Sequence, residues 1–400
     1  MTKWLSLTAI VVLCLTLLIG IACGGDEGEK EDGAITELKF GAALPLSGAA
    51  GAVIGIPAKN AVEVMNEFIG EFEVGGRLYR WDLIFEDNKF SGEGGVASTT
   101  KFISEHGVDL IMHQNGVDAG LSSYTYAEAK NIIVDTAGAN YESFSPDKPL
   151  LFQEAASYDL SFAPFFDWFM GEHPEVKSVV AINVDNATGV NINKGVQECC
   201  EYYGLEFHEV LYPIETVEHY PLAAKAMTYD ADLVVGFPSL LAPMWDMGYE
   251  GDAVSYFWME ASAEAIGWDR CEGFYIAGPH AYAGAFPAAD LVKEEYERRH
   301  NAPFGAPQFF MANILYVYTQ ALQRAGTVDD VDRIIETLET EAFDSLCGPV
   351  FFGLEELNGI GHVCIWPVPI FRVVGENEYE IITRYTAEEV EALTLEIYGK

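Results

Sequence analysis

Positive charge is what this 400-residue sequence lacks: Lys and Arg number 22 against 62 Asp and Glu, a formal net charge of −40 at pH 7. That balance excludes nucleic acid as a partner, because phosphate recognition rests on Lys and Arg neutralising the backbone. It favours a soluble surface in salty or anionic surroundings and says nothing about fold. Long apolar runs are also scarce. The one at Leu7 to Ile21 falls short of the roughly 20 residues that a membrane core asks for. There is no Gly-x-Gly-x-x-Gly, no Gly-Lys-Ser/Thr, no Gly-x-Ser-x-Gly and no His-Glu-x-x-His. The nucleotide turn, the P-loop, the nucleophile elbow and the zincin site are thereby removed. Eight histidines are scattered without ligand spacing and no Cys-x-x-Cys occurs, so neither metal nor cofactor is expected. Asp118 and Asp185 could be read as an acid/base pair, but carboxylates in loops are usually caps or solvated, and no enzyme is expected. No unit of 20–50 residues repeats.

What is there begins with an address. Met1 to Ala22 has a lone positive charge at Lys3, a short apolar run and small residues at its end, which describes an export signal. Ala22-Cys23-Gly24 resembles the bacterial lipoprotein cleavage box, in which the cysteine takes a diacylglycerol and becomes the first mature residue; Gly20 stands where that box usually has leucine. An uncleaved anchor and a fully secreted protein are the alternatives, and all three place the chain outside the cytoplasm. Gly24 to Gly33 carries five acids and no apolar residue, so residues 23–35 read as a flexible tether. The remainder exceeds what one core usually serves, and two lobes are expected.

The first lobe is organised around Leu38 to Ile69. Leu38 to Leu44 fits a buried strand stopped by Pro45, and Ser47-Gly48-Ala49-Ala50-Gly51 reads as a loop where backbone can approach a ligand, or simply turn. Pro57 fits a helix start, with Ala61, Val62, Met65, Phe68 and Ile69 on one face. Strands at Trp81–Glu86, Val108–Met112 and Asn131–Asp135 alternate with helices at Gly95–His106 and from Asp118, its expected cap, to Lys130. The pattern restarts at Leu150, with strands at 176–184, 205–212, 231–236, 255–259 and 273–277 separated by helices. Helices at Ala288–His300 and Gln308–Ala325, a hairpin of Val350–Phe352 against Val363–Val374, and a helix at Ala387–Ile397 complete it. In such α/β folds the crevice for a ligand lies at the carboxyl ends of the strands.

LKFGAALPLSG with the following lobe, then ADLVVG, GFYIAGPHAY and FFGLEELNGIGHVCIWPVPIFRVV, resembles the type I periplasmic solute-binding proteins over about residues 36–398. The branch is that of branched-chain amino acid ABC transporters, the leucine/isoleucine/valine-binding kind. The resemblance implies an α/β fold of two wound parallel-sheet lobes joined by a three-crossover hinge. Residues 36–155 with 283–345 would form one lobe and residues 156–282 with 346–400 the other, crossing near Phe152–Ser157, Gly278–Tyr282 and Leu346–Pro349. It also implies capture of a small organic solute (an amino acid, amide or related carboxylate) and delivery to an ABC permease, with the membrane reached through the lipid at Cys23. A sensor ectodomain of the same fold is the alternative; it would need a spanning helix or fused domain, and none is recognised before Lys400.

A cleft rimmed by strand-end loops and helix N-termini offers free amides and about half a positive charge per helix end, enough to seat an anionic head. The expected contacts on one rim are Ser47, Asn115, Gly116, Val117, Asp118, Thr136, Ala137, Gly138 and Ala139. Across it stand Asp185, Thr188, Pro238, Glu260 and Tyr282. Ala139 replaces the hydroxyl that amino-acid binders of the family place there, Thr188 and Pro238 align with aromatic residues that flank the ligand, and Glu260 lies near the family's ammonium-binding acid. Cys199, Cys200, Cys271, Cys347 and Cys364 would face an oxidising compartment, so at least one bridge is expected, Cys347 to Cys364 across the tail hairpin.

Overall fold

In the computed structural model the residues described are 35–155, 157–213, 215–278 and 287–399. Cys23 and Tyr282 lie outside them. β1 (Thr36–Leu44) is buried from Phe40 onward, as a strand covered on both faces must be. β2 (Phe72–Val74) and β3 (Arg77–Asp87) form a hairpin through Gly75 and Gly76, both with φ above zero. β4 (Ile111–Gln114), β5 (Ile133–Thr136) and β6 (Leu151–Phe152) complete a sheet of order β2-β3-β1-β4-β5-β6, parallel except at β2.

The stretch expected as a loop at Ser47–Gly51 is wound instead. Gly48–Ala50 opens a helical turn, Gly51–Gly55 continues it with π spacing, and Ile56–Ile69 follows as an α-helix. The Ile56 amide donates to the Gly51 carbonyl five residues back. The turn lies directly on the end of β1: a Cβ on Gly55 would come within 1.8 Å of the Pro45 carbonyl oxygen. Pro57 therefore sits early in the α-helix rather than at the start of the wound stretch.

The second sheet is built from β7 (Ser178–Val184), β8 (Glu206–Tyr212), β9 (Leu233–Val235), β10 (Asp252–Ser255) and β11 (Tyr275–Ala277), parallel to one another. Next along the chain, β12 (Ala342–Ser345), β13 (Gly348–Gly353) and β14 (Val363–Ile365) form a small antiparallel sheet whose apolar side chains join the core of the first lobe. The chain then passes to the second sheet. β15 (Val368–Gly375) adds antiparallel to β11, and β16 (Glu378–Tyr385) to β15. The tail segment read as one hairpin strand is thus divided at Trp366-Pro367 between two sheets, because Pro367 has no amide to continue a ladder.

Helices cover both large sheets. Ala306–Ala325 packs along Ile56–Ile69, and its Thr319 hydroxyl accepts from the Trp81 indole at 2.8 Å. Among the described residues no helix is long and apolar enough to cross a membrane.

The expected disulfide is not formed. The five cysteines among the described residues are all free and buried. β13 and β14 pair Phe352 with Cys364, while Cys347 lies in the turn between β12 and β13, its sulfur 3.2 Å from the Ser345 hydroxyl. The register sets Cys364 opposite a phenylalanine, not opposite Cys347.

Candidate ligand cleft

The carboxyl ends of both parallel sheets open onto one cavity of about 330 Å³, within the range of small-molecule sites. The first lobe contributes Ala49 and Val53 from the wound stretch, Phe90 from the loop after β3, His113, Asn115 and Gly116 at β4, and Ala137 and Gly138 at β5. The second contributes Val184, Thr188 and Ile192 from β7 and the helix after it, Tyr212 at the end of β8, Phe237 after β9, and Tyr256, Phe257 and Met259 after β10. Phe310, Met311 and Ile314 reach in from the Ala306–Ala325 helix. No Lys, Arg, Asp or Glu stands among the described residues of the lining.

Local chemistry explains the shape. Asn88 is fully buried and its amide donates to the carbonyls of Ala43 and Asn115 at 3.1 and 2.8 Å, tying together the ends of β1, β3 and β4. Its side-chain oxygen accepts from the Phe90 amide at 3.0 Å and holds Phe90 at φ +52, a conformation rare for a bulky residue. The Phe90 ring then lies 3.0 Å from where a Cβ of residue 116 would stand, so glycine there meets both the contact and its own φ of +102. Gly116 precedes the Val117–Glu128 helix as its N-cap, and the first-turn amides are left without intrahelical acceptors.

The second-lobe wall is aromatic. Tyr256 meets Tyr158 edge-on at 5.0 Å and Phe237 at 5.4 Å, while its hydroxyl donates to Asn183. Burial pushes the Tyr256 phenol well above its usual range, which keeps the wall neutral. Phe257 stacks with Phe310 at 6.3 Å and 17°, closing the back of the cleft between lobes. At the front, Thr188 lies 3.3 Å from a Cβ built on Gly138.

Of the residues expected from the sequence, Asn115, Gly116, Ala137, Gly138 and Thr188 meet in this cavity. The other described residues are placed elsewhere, for identifiable reasons. Ser47, Asp118 and Asp185 are exposed. Ser47 hydrogen-bonds Asp87, and Asp118 stands in the first turn of its helix rather than capping it. The Thr136 hydroxyl faces Gly120, where a Cβ would come within 2.1 Å of it. The amide of Ala139 is used by the Gln153 side chain at 2.8 Å. Val117 is buried, and Pro238 is buried at the first position of its helix, leaving Phe237 and Ser239 to line the cavity. Glu260, one residue beyond Met259, turns away and lines a separate open groove with Glu264, Lys293 and Tyr379. The sequence reading missed the aromatics at or just beyond the ends of β8, β9 and β10. Their position at strand ends was the available signal, but an apolar side chain there is read first as core.

The wound two-lobe fold with its interlobe cleft defines a solute-binding class. The chain belongs to the periplasmic binding protein family, whose profile matches residues 37–375. Members of that family bind solutes and are not enzymes. No curated protein matches the sequence. Among solved structures it is similar to an ABC transporter substrate-binding protein from Sphaerobacter thermophilus, at 20% identity and TM-score 0.73 over 88% of this chain and 98% of that one. A leucine-binding protein from Thermotoga maritima matches at 17% and 0.70 over 88% and 99%. A solute-binding protein from R. palustris in complex with benzoate matches at 15% and 0.73 over 87% and 96%. At these identities the likeness is one of fold.

Proposed function

We propose that this protein captures a small apolar monocarboxylate, aromatic in the simplest case, between its lobes and delivers it to an ABC importer on the outer side of a membrane. The observation that carries the reading is the lining itself: aromatic and aliphatic walls, helix-end amides and, among the described residues, no carboxylate to receive an ammonium group. A zwitterion placed there would bury an uncompensated cation, which costs several kcal/mol. A plain acid needs only donors, which on this reading come from the backbone of Gly116 and Gly138 in the lining and from the first-turn amides of the Val117–Glu128 helix. The bound complex in the R. palustris relative, benzoate, is of this class.

A thermal-shift panel of benzoate, other aromatic acids, leucine and isoleucine tests the solute class. A ligand at 100 times its dissociation constant adds about 2.7 kcal/mol, and we expect this from an apolar acid but not from leucine. The reverse order of response would sink the reading. Val117→Pro removes one first-turn amide at a position where helices accept proline, and should weaken acid binding about tenfold or more. Glu260→Ala, outside the cleft, should leave affinity unchanged.

Export and anchoring through Cys23 belong to the same proposal, supported by Ala22-Cys23-Gly24. Cys23→Ala should abolish acyl labelling; labelling that persists in the variant refutes the anchor.

A further inference from the structure

One side chain in the cleft is held ready for a partner that the described residues do not supply. His113 on β4 is fully buried and lies directly across from Asp135 on β5. Its Nδ1 is 2.6 Å from Asp135 Oδ2, while Asp135 Oδ1 accepts from the Glu154 amide at 2.7 Å and the Tyr318 hydroxyl at 3.1 Å. Accepting at both oxygens, Asp135 fixes the ring's orientation and directs the Nδ1 proton toward itself. Nε2 is left buried, without a hydrogen-bond partner among the described residues, in a side chain that lines the cavity. A buried polar atom with no partner costs free energy that a ligand can return.

What Nε2 accepts depends on its proton. A neutral ring with its proton on Nδ1 presents a lone pair to the cleft, and a carboxylate oxygen placed against it would be repelled. Among the described residues the lining holds no Lys or Arg to balance an anion, and helix ends supply only partial charge. We propose that His113 Nε2 binds the carboxylate head of the ligand as an imidazolium, so that each anion enters the cleft together with one proton. The proposal rests on the monocarboxylate reading above. The proton comes from solvent and ends on Nε2, no covalent bond to carbon changes, and the sequence Asp135, imidazolium, carboxylate alternates in charge through a dry site.

The surrounding titratable groups do not compete for this role. Glu154, at the crossover after β6, is pushed well above the usual carboxylate range by burial and then by the Asp135 charge. Tyr318 from the Ala306–Ala325 helix, Cys364 on β14 and Cys347 in the β12–β13 turn are all raised, chiefly by burial. Across the cleft Tyr158, Tyr212 and Tyr256 are raised for the same reason. His219 is the second imidazole in the lining, its Nδ1 3.1 Å from the Ser239 carbonyl oxygen.

The test is calorimetry of benzoate binding to the full chain between pH 6 and 9, in buffers of different ionisation enthalpy. We expect proton uptake to rise toward one per benzoate as pH increases, and the dissociation constant to weaken by up to about tenfold per pH unit. Imidazole ¹⁵N shifts should place the added proton on His113 rather than His219. His113→Gln keeps a donor for Asp135 but cannot take the proton; it should bind benzoate at least tenfold more weakly and without pH dependence. If that variant does not fold, the linkage and ¹⁵N measurements on the unaltered protein decide alone. Benzoate binding without proton uptake, uptake on His219, or an unchanged pH slope in His113→Gln overturns the proposal and leaves the monocarboxylate reading intact. Failure of every apolar acid to bind overturns that reading and this proposal with it.

Discussion

Replacing Gly189 by alanine is expected to destabilise the protein by about 3 kcal/mol, near the upper end of what one added methyl usually costs. Gly189 lies in the first turn of the Ala187–Tyr203 helix, where its amide donates to the Asn186 side chain at 2.9 Å. Its Cα rests on the end of β7, and a Cβ would come within 1.9 Å of the Val184 carbonyl oxygen. The atoms such a Cβ would meet all belong to the Val184 backbone, so relief requires the helix to lift from the end of the strand. Gly94 repeats this arrangement in the first lobe, with a Cβ position 1.8 Å from the Asn88 carbonyl oxygen after β3. Gly204→Ala, at a φ of +71 with nothing within 4 Å, is the control: it carries a conformational cost alone, about 1 kcal/mol. Urea unfolding of the two variants separates the effects, and equal losses would contradict the steric account. Because Val184, Thr188 and Ile192 line the cleft, Gly189→Ala should also weaken ligand binding.

Acidification should cost the protein up to about 3 kcal/mol through His362, less what the Glu339 carboxylate 3.0 Å from its Nε2 returns to the charged ring. This ring is buried and stacked on Phe152 with centroids 3.7 Å apart, its Nδ1 2.9 Å from the Leu151 carbonyl oxygen. Burial pulls it down from 6.5 to about 4, against the raising effect of that carbonyl. The folded state thus takes its proton at lower pH than the unfolded chain. Stability is lost as pH falls below about 6.5, and the loss is complete below about 4. Comparing unfolding midpoints of the protein and His362→Gln from pH 7 to 4 isolates this contribution from the titrating carboxylates. A constant difference between the two across that range would refute it.

The alternation of elements was legible because each strand and helix writes its burial into a local period. The run from Leu38 to Leu44, the helix through Met65 and the run at Val176–Val184 all lie where period and composition put them. Ends were less legible. Ser47–Gly51 reads as a loop because small residues have no period, and the close contact of Gly51 and Gly55 with the Pro45–Leu46 backbone goes with the helical form. The tail divides at Trp366-Pro367 because two sheets compete for its two halves, a competition that no window of the sequence contains.

By itself, then, the sequence determined the class of fold and the rim of strand-end loops at Asn115–Gly116 and Ala137–Gly138, since both follow from local pattern and chain order. The tertiary structure alone decided the character of the cleft. Phe310, Met311 and Ile314 come from a helix far beyond those loops in the chain, and His113 meets Asp135 only because β4 and β5 pair in parallel. Met259 faces the ligand while Glu260 turns away, a difference of one residue that fixes whether the site offers an anion to an ammonium group. Which of two neighbouring side chains points inward is set by packing against distant elements, and that information is shared among residues far apart in the chain.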